Sequence, residues 1–228
     1  MHTVSLLGSS NSLTLGKILC VGRNYATHVK EMKADLPKTP VLFLKPATAL
    51  VRSGGVIELP SISSDVHHEV EMTVLVGKAG KRIPTGEALG HVAGYGVGLD
   101  MTLRDVQSEA KKQGLPWTLA KGFDGAAPLS DFVEAGRVPD PAQLGVRLLV
   151  NGELRQAGWT RDFIFRLAEL LSYASEFFTL EVGDVLFTGT PEGVGPVKSR
   201  DALRAELVDA AGSVLTSLVV TVEGRPAP

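Results

Sequence analysis

The chain reads as an α+β fold that is mainly β, with a few short helices on one domain. Three observations predict it. Short apolar runs recur along the length and end on turn residues, and glycine (25) and proline (13) are frequent, as many strands joined by tight turns require. Only three or so stretches carry the three-to-four-residue spacing of an amphipathic helix. With 228 residues, 44% of them hydrophobic, the chain can bury roughly 70–75% of its unfolded surface without a covalent or metal staple.

Residues 1–16 are polar and rich in Gly and Ser, a leader or edge segment ahead of a single domain over 17–228. Lys17–Gly22 is a short strand. Asn24 is placed to cap a helix running to Lys33, and on that helix His28 and Glu31, three apart, share a face. Prolines bracket the next strand, 40–46, and 56–60 is another. Residues 66–76 form a strand, Gly77–Gly80 a turn, and 85–90 a short helix. In the strand 92–100, Gly94, Gly96 and Gly98 alternate, so one face lacks side chains and lets a backbone or a ligand approach. Thr102 opens a helix to Gln113, with Asp105 completing a capping box. Leu103, Val106 and Ala110 make its apolar stripe, and Arg104, Gln107 and Lys111 a polar one. Residues 116–124 are a loop or short strand carrying Lys121 among apolar neighbours, where a lysine either snorkels to water or serves a site. Asn151-Gly152 after the strand 145–150 is a hairpin signal. A helix spans 163–178, a strand 185–187, and two closing strands, 203–208 and 214–222, flank a turn at Gly212. The glycine-rich stretch 188–196 has no Gly-Lys-Ser/Thr ending and is no P-loop, although its amides and hydroxyls suit an anion.

Composition excludes several functions. Net charge is −2 with no basic run, which argues against nucleic acid and anionic membranes as partners. No apolar stretch approaches the ~20 residues of a membrane span. The lone cysteine, Cys20, rules out a disulfide within the chain and fits a reducing cytoplasm. It reads as a small core residue. The N-terminus shows neither a secretory signal nor an Arg-rich transit peptide.

The chemistry is concentrated in His67-His68-Glu69-Val70-Glu71 and in Asp100. Side chains on a strand repeat with period two, so Glu69 and Glu71 point to one face, while His68, Val70, Met72, Val74 and Val76 point to the other. Alone, such a pattern is usually a solvated outer strand. Asp100, however, ends the neighbouring apolar run. Two bare carboxylates about 4 Å apart repel by roughly 4 kcal/mol at an effective dielectric near 20. Three together need a proton or a cation, and a divalent ion with oxygen ligands is the natural remedy.

Seven motifs in order resemble the fumarylacetoacetate hydrolase (fumarylacetoacetase) superfamily, most closely its small single-domain acylpyruvate hydrolase and oxaloacetate decarboxylase group. They are Val-Gly-Arg-Asn-Tyr-Ala at 21–26, Phe-Leu-Lys-Pro at 43–46, His-His-Glu-Val-Glu at 67–71, Leu-Asp-Met-Thr-Leu-Arg-Asp-Val-Gln at 99–107, Leu-Pro-Trp-Thr-Leu-Ala-Lys at 115–121, Val-Asn-Gly-Glu-Leu-Arg-Gln at 150–156 and Thr-Gly-Thr-Pro-Glu-Gly-Val-Gly at 188–195. The resemblance implies a mixed β-roll or distorted β-barrel and a homodimer. It implies Glu69, Glu71 and Asp100 as ligands of Mg²⁺ or Mn²⁺. It makes His28 and Glu31 a catalytic dyad on a mobile lid helix, and Lys121 the catalytic lysine beside the metal. Arg23, Arg104, Gln107 and Thr190 would hold the carboxylate and oxo groups of a small 2-oxo acid.

The reaction expected first is hydrolysis of a carbon–carbon bond in an acylpyruvate such as fumarylpyruvate or acetylpyruvate, giving pyruvate and a carboxylic acid. The metal and Lys121 would stabilise the departing enolate, and His28 would activate the water. The same groups serve oxaloacetate decarboxylation or keto–enol tautomerisation, and isomerisation or decarboxylation of a diene-dioate in aromatic breakdown. A reading from another class is a non-catalytic cation-chelating protein, which would need the triad but not His28 and Glu31. An all-oxygen ligand set argues against zinc.

Overall fold

The computed structural model describes residues 2–10, 12–32 and 35–224. The chain opens with a small antiparallel pair, β1 (Thr3–Ser5) and β2 (Ser12–Thr14), so the segment before residue 17 forms an edge structure and buries Val4 and Leu15. β3 (Ile18–Gly22) leads to helix α1 (Ala26–Glu31), and β4 (Val41–Lys45) returns antiparallel to β3. Tyr25, not Asn24, occupies the N-cap position of α1, and no side chain caps it. Lys33, where the sequence places the end of this helix, lies outside the described residues.

β5 (Leu50–Arg52) and β6 (Val56–Leu59) precede the acidic stretch. That stretch is not one strand. It divides at Glu69 into β7 (Val66–His68) and β8 (Val70–Val76), which belong to different sheets. β9 (Val92–Leu99) then pairs antiparallel with β8, Glu71 facing Gly98 and Thr73 facing Gly96. The alternating glycines have a definite cause. A Cβ on Gly98 would lie 2.7 Å from the Phe187 ring, and one on Gly94 would lie 2.7 Å from the Val133 carbonyl oxygen. Protein, rather than a ligand, covers that face.

Thr102 and Leu103 form a two-residue strand, β10, paired with β7, and helix α2 runs from Arg104 to Gln113. The expected capping box is therefore absent. The Thr102 hydroxyl donates to the Asp100 carbonyl, and Asp105 instead accepts from the Ser63 hydroxyl and the Ser64 amide. Gly114 closes α2 in the left-handed conformation, φ 67°, which glycine adopts without steric cost. Lys121 lies on a short helix, α3 (Thr118–Lys121), rather than on a loop or strand. β11 (Ala127–Leu129) and β12 (Val133–Glu134) follow. β13 (Gly145–Val150) and β14 (Glu153–Trp159) are joined through Asn151 and Gly152, both at positive φ, as the sequence signal requires. Helix α4 (Leu167–Phe177) starts four residues later than its apolar spacing suggests. β15 (Val185–Phe187), β16 (Gly195–Pro196), β17 (Ala202–Val208) and β18 (Val214–Gly224) complete the chain.

The elements form a curled, mixed β-roll. One sheet runs β4-β3-β15-β8-β9-β11-β5, with β12 on β9, and a second runs β14-β13-β17-β18-β6. Val70, Met72, Val74, Val97 and Leu99 of the first sheet share one core with Leu148, Leu203, Ala205 and Leu218 of the second. On the other face of the first sheet, Ile18, Cys20, Leu75, Leu129, Phe132 and Phe187 form a smaller core. Burying Leu-sized side chains contributes about 1.5–3 kcal/mol each. Cys20 is buried there without a partner sulfur, and burial first, with Asp100 next, pushes its thiol well above the ordinary value. No helix among the described residues is long and apolar enough to cross a membrane.

Candidate metal and substrate site

The break at Glu69 and the ends of β8 and β9 create the site. The Asp100 amide donates to the Glu69 carbonyl at 2.8 Å, which ties the two chain segments together where the pleat ends. As a result Glu69, Glu71 and Asp100 each offer an oxygen within 4.8 Å of the others, and all three are buried. They do not point outward into solvent.

Each carboxylate has different company. Glu69 accepts from Arg104 at 2.5 Å and from Lys121 at 2.8 Å. Burial alone would raise its carboxyl, but Lys121 and Arg104 outweigh burial and hold it below the usual range. Asp100 accepts from Lys121 through Oδ2 at 2.7 Å. Its Oδ1 lies 2.7 Å from Lys45 Nζ, close enough for an ion pair but not aligned for a hydrogen bond. Glu71 receives only the Gly189 amide, at 2.6 Å, and burial, Asp100 and Glu69 together push its carboxyl well above the ordinary value. The protein thus supplies cations to two of its three acids. Three buried carboxylates, one of them with no cation of its own, fit a hard divalent ion such as Mg²⁺ or Mn²⁺, which takes oxygen donors and keeps open positions for water or substrate.

Lys121 is buried, so it does not snorkel. Its ammonium also donates to the Thr102 hydroxyl at 2.6 Å. Burial would lower its pKa, but Asp100 and Glu69 raise it further, which fixes its charge. Lys45 is a site residue that sequence reasoning left without a role. It is 1% exposed, donates to the Lys121 and Met101 carbonyls and pairs with Asp100. Its signal was a lysine in an otherwise apolar strand between two prolines.

α1 covers the site. His28 Nδ1 lies 3.2 Å from Glu31 Oε2, His28 is 7% exposed, and its charge bears on Glu69. Glu31 accepts from the Gly193 amide at 3.0 Å, and Thr27 donates to Glu192. The glycine-rich stretch 188–195 therefore holds anions, and they are the protein's own: Glu71 through Gly189 and Glu31 through Gly193. Asn24 braces this arrangement, donating to the Thr188 and Phe165 carbonyls and accepting from the Phe165 amide. Gln107 accepts from Arg104 at 2.8 Å. Thr190 accepts from Gln156 at 2.9 Å, and Gln156 also contacts His68 and the Val70 amide. Arg23, at the left-handed φ of 61°, stands beside α1, and its charge reaches Lys111 on α2. A groove of about 850 Å³ runs along β4 past Phe43, Leu115 and Trp117, and none of the triad lines it.

A β-roll that gathers three buried acids beside a buried lysine, with a His–Glu pair nearby, defines a class of carboxylate-rich candidate cation sites, and comparison with known proteins agrees. Residues 17–223 match the family described as fumarylacetoacetate (FAA) hydrolase C-terminal. The chain belongs to the fumarylacetoacetate hydrolase family. It is 53% identical over 188 residues to the mouse protein named oxaloacetate tautomerase FAHD1, mitochondrial, covering 82% of this chain and 85% of that one. It is 49% identical over 190 residues to oxaloacetate tautomerase YcgM of Escherichia coli, covering 83% and 87%. Among solved structures, fumarylpyruvate hydrolase from Pseudomonas aeruginosa in complex with Mn²⁺ and pyruvate superposes with a TM-score of 0.91 at 38% identity, covering 98% of this chain and 96% of that one.

Proposed function

We propose that this protein is a divalent-cation-dependent enzyme of small 2-oxo acids, and that its principal reaction is keto–enol tautomerisation of oxaloacetate. One observation carries the reading. A buried acid triad with one member left uncompensated faces a lysine of fixed charge and a His–Glu pair, so a site for a cation adjoins a site for proton transfer. The choice of tautomerisation over the hydrolysis expected first rests on the relatives named oxaloacetate tautomerase at 49–53% identity.

Glu69, Glu71 and Asp100 would hold Mg²⁺ or Mn²⁺, which as a Lewis acid polarises the 2-oxo group. Lys121 places a fixed positive charge beside the same point, where negative charge develops on the 2-oxo oxygen. His28, oriented through Nδ1 by Glu31, takes the C3 proton. The C3–H bond breaks, an O–H bond forms at C2, and the composition of the molecule is unchanged. Arg23, Arg104, Gln107 and Thr190 surround the carboxylates of the substrate. α1, tied down through Gly193 and Glu192, keeps bulk water from the reacting atoms. The likeness to the family carries over a homodimer as the assembly, and the single buried cysteine suits a reducing compartment such as the cytoplasm.

A second reading, acylpyruvate hydrolysis, is favoured by the likeness to the fumarylpyruvate hydrolase. It uses the same groups, with His28 activating a water instead of taking a C3 proton. One assay separates the two: the absorbance of enol-oxaloacetate, followed beside pyruvate release from acetylpyruvate and fumarylpyruvate, each with Mg²⁺. The expected result is rapid enol–keto equilibration that slows roughly 10²–10⁴-fold in His28→Ala, with cation affinity unchanged. Equilibration no faster than Mg²⁺ alone produces would overturn the tautomerase reading.

A further inference from the structure

β14 lies at the edge of its sheet, and Gln156 is its only buried residue. Leu154, two residues earlier, is 61% exposed, whereas Gln156 is 1% exposed. An amide buried beside an exposed leucine inverts the usual order, and it is tolerated only where the amide is hydrogen-bonded. The strand bends to allow it. Leu148 faces Gln156 and Leu149 faces Leu154 across the β13–β14 pair, so Arg155 is left without a partner. Such a bulge shifts the alternation of side chains, here turning Gln156 inward.

Every hydrogen-bonding capacity of this amide is used. Nε2 donates to Thr190 Oγ1 at 2.9 Å and to the Pro191 carbonyl at 3.0 Å. Oε1 accepts from the Val70 amide at 3.0 Å and lies 3.0 Å from His68 Nδ1. A backbone N–H only donates and a backbone carbonyl only accepts, so these partners fix which end of Gln156 is nitrogen. Thr190 therefore receives a proton from Gln156, and its own hydroxyl proton has no acceptor among the described residues. Thr190 is 3% exposed, and the residue before it, Gly189, gives its amide to Glu71. A buried hydroxyl with a proton to give thus stands one residue from the amide that holds a member of the triad.

We propose that Gln156 is a positioning residue: by donating to Thr190 Oγ1 it makes the Thr190 hydroxyl a donor to the anionic oxygen of a bound 2-oxo acid. Gln156 touches neither substrate nor ion. The assignment rests on the reading of Thr190 as a substrate-holding residue, and it adds the group that sets the direction of that hydroxyl. Without Gln156 the hydroxyl turns freely, and for part of the time it meets the anionic oxygen with a lone pair, which repels it. The acceptor end of the same amide is tied to Val70, between Glu69 and Glu71, so the cation side and the substrate side of the site are held to a common point.

Two calorimetric titrations test it in Gln156→Met, Thr190→Val and the double variant: pyruvate into Mg²⁺-loaded protein, and Mg²⁺ into chelator-treated protein. Gln156→Met and Thr190→Val should each raise the pyruvate Kd about fivefold or more, and the double variant no more than about twofold beyond Thr190→Val, while the Mg²⁺ Kd of Gln156→Met stays within about twofold of wild type. An unchanged pyruvate Kd in Gln156→Met, losses that multiply in the double variant, or equal losses of pyruvate and Mg²⁺ affinity would overturn the positioning role. An unchanged pyruvate Kd in Thr190→Val would instead overturn the reading of Thr190 itself, so the two failures are told apart. Should Gln156→Met not fold, Gln156→Glu decides the matter on the same criteria for pyruvate. It keeps an acceptor for Val70 but has at most one proton to give, too few for Pro191 and Thr190 together.

Discussion

Glu71 and Glu206 are both buried glutamates on strands of this molecule, and the protein treats them in opposite ways. Glu206, on β17, accepts from Arg147 and from Arg204, the latter at 2.7 Å. Burial would raise its carboxyl, but the two arginines outweigh burial and hold it below its ordinary value. Glu71, at the end of β8, has only a backbone amide and two acidic neighbours, and its carboxyl is pushed up. One acid is neutralised by the chain that carries it. The other is left in want of positive charge, at the one place where three carboxylates converge. An acid cluster that serves stability alone would be balanced internally; the imbalance at Glu71 is what the proposed divalent cation would relieve.

The largest effect expected from this contrast is on ion binding. Glu71→Gln should weaken Mg²⁺ or Mn²⁺ by about 100-fold or more, since even residues behind a ligand matter by 10–100-fold, whereas Glu206→Gln should leave affinity within about twofold. The next is on folding. Glu206→Gln should lower stability at pH 7 by about 1–2 kcal/mol, a discounted value because both arginines reach solvent. A group whose folded pKa is depressed contributes fully above its unfolded pKa, about 4.3 for glutamate, and loses that contribution as pH falls through the folded value. The denaturation curves of wild type and Glu206→Gln should therefore differ most above about pH 5 and draw together only as pH falls through the depressed folded pKa of Glu206. The smallest effect has the opposite sign. In chelator-treated protein, Glu71→Gln should raise stability by about 1 kcal/mol, because it removes a carboxyl whose ionisation burial and two acidic neighbours oppose. A loss of stability there, comparable to that of Glu206→Gln, would show that the two acids are not treated differently.

The triad was legible only through the motifs: Glu69 and Glu71 spaced by two read by themselves as a solvated outer strand, and the family resemblance is what joined Asp100 to them as a third ligand. The Asn151-Gly152 hairpin and the closing pair around Gly212 were legible because their turn residues dictate backbone shape. What the sequence hid depends on contacts distant in the chain. The break at Glu69 is set by β7 pairing with β10 and β16, which no local pattern announces. Thr102 has the chemistry of a helix cap, but its hydroxyl is taken by the Asp100 carbonyl and by Lys121. Asn24 likewise looked like a cap and became a brace between segments more than 140 positions away. Lys45 was concealed by its strand: an apolar run between two prolines assigns its lysine no partner, and only the fold brings Asp100 against it.

The most direct test is a calorimetric titration of chelator-treated protein with Mg²⁺ and with Mn²⁺, in wild type and in Glu71→Gln. The account predicts one ion per chain in the wild type and no measurable binding in the variant at the same concentrations. Undiminished binding in Glu71→Gln, or none in the wild type, would contradict it.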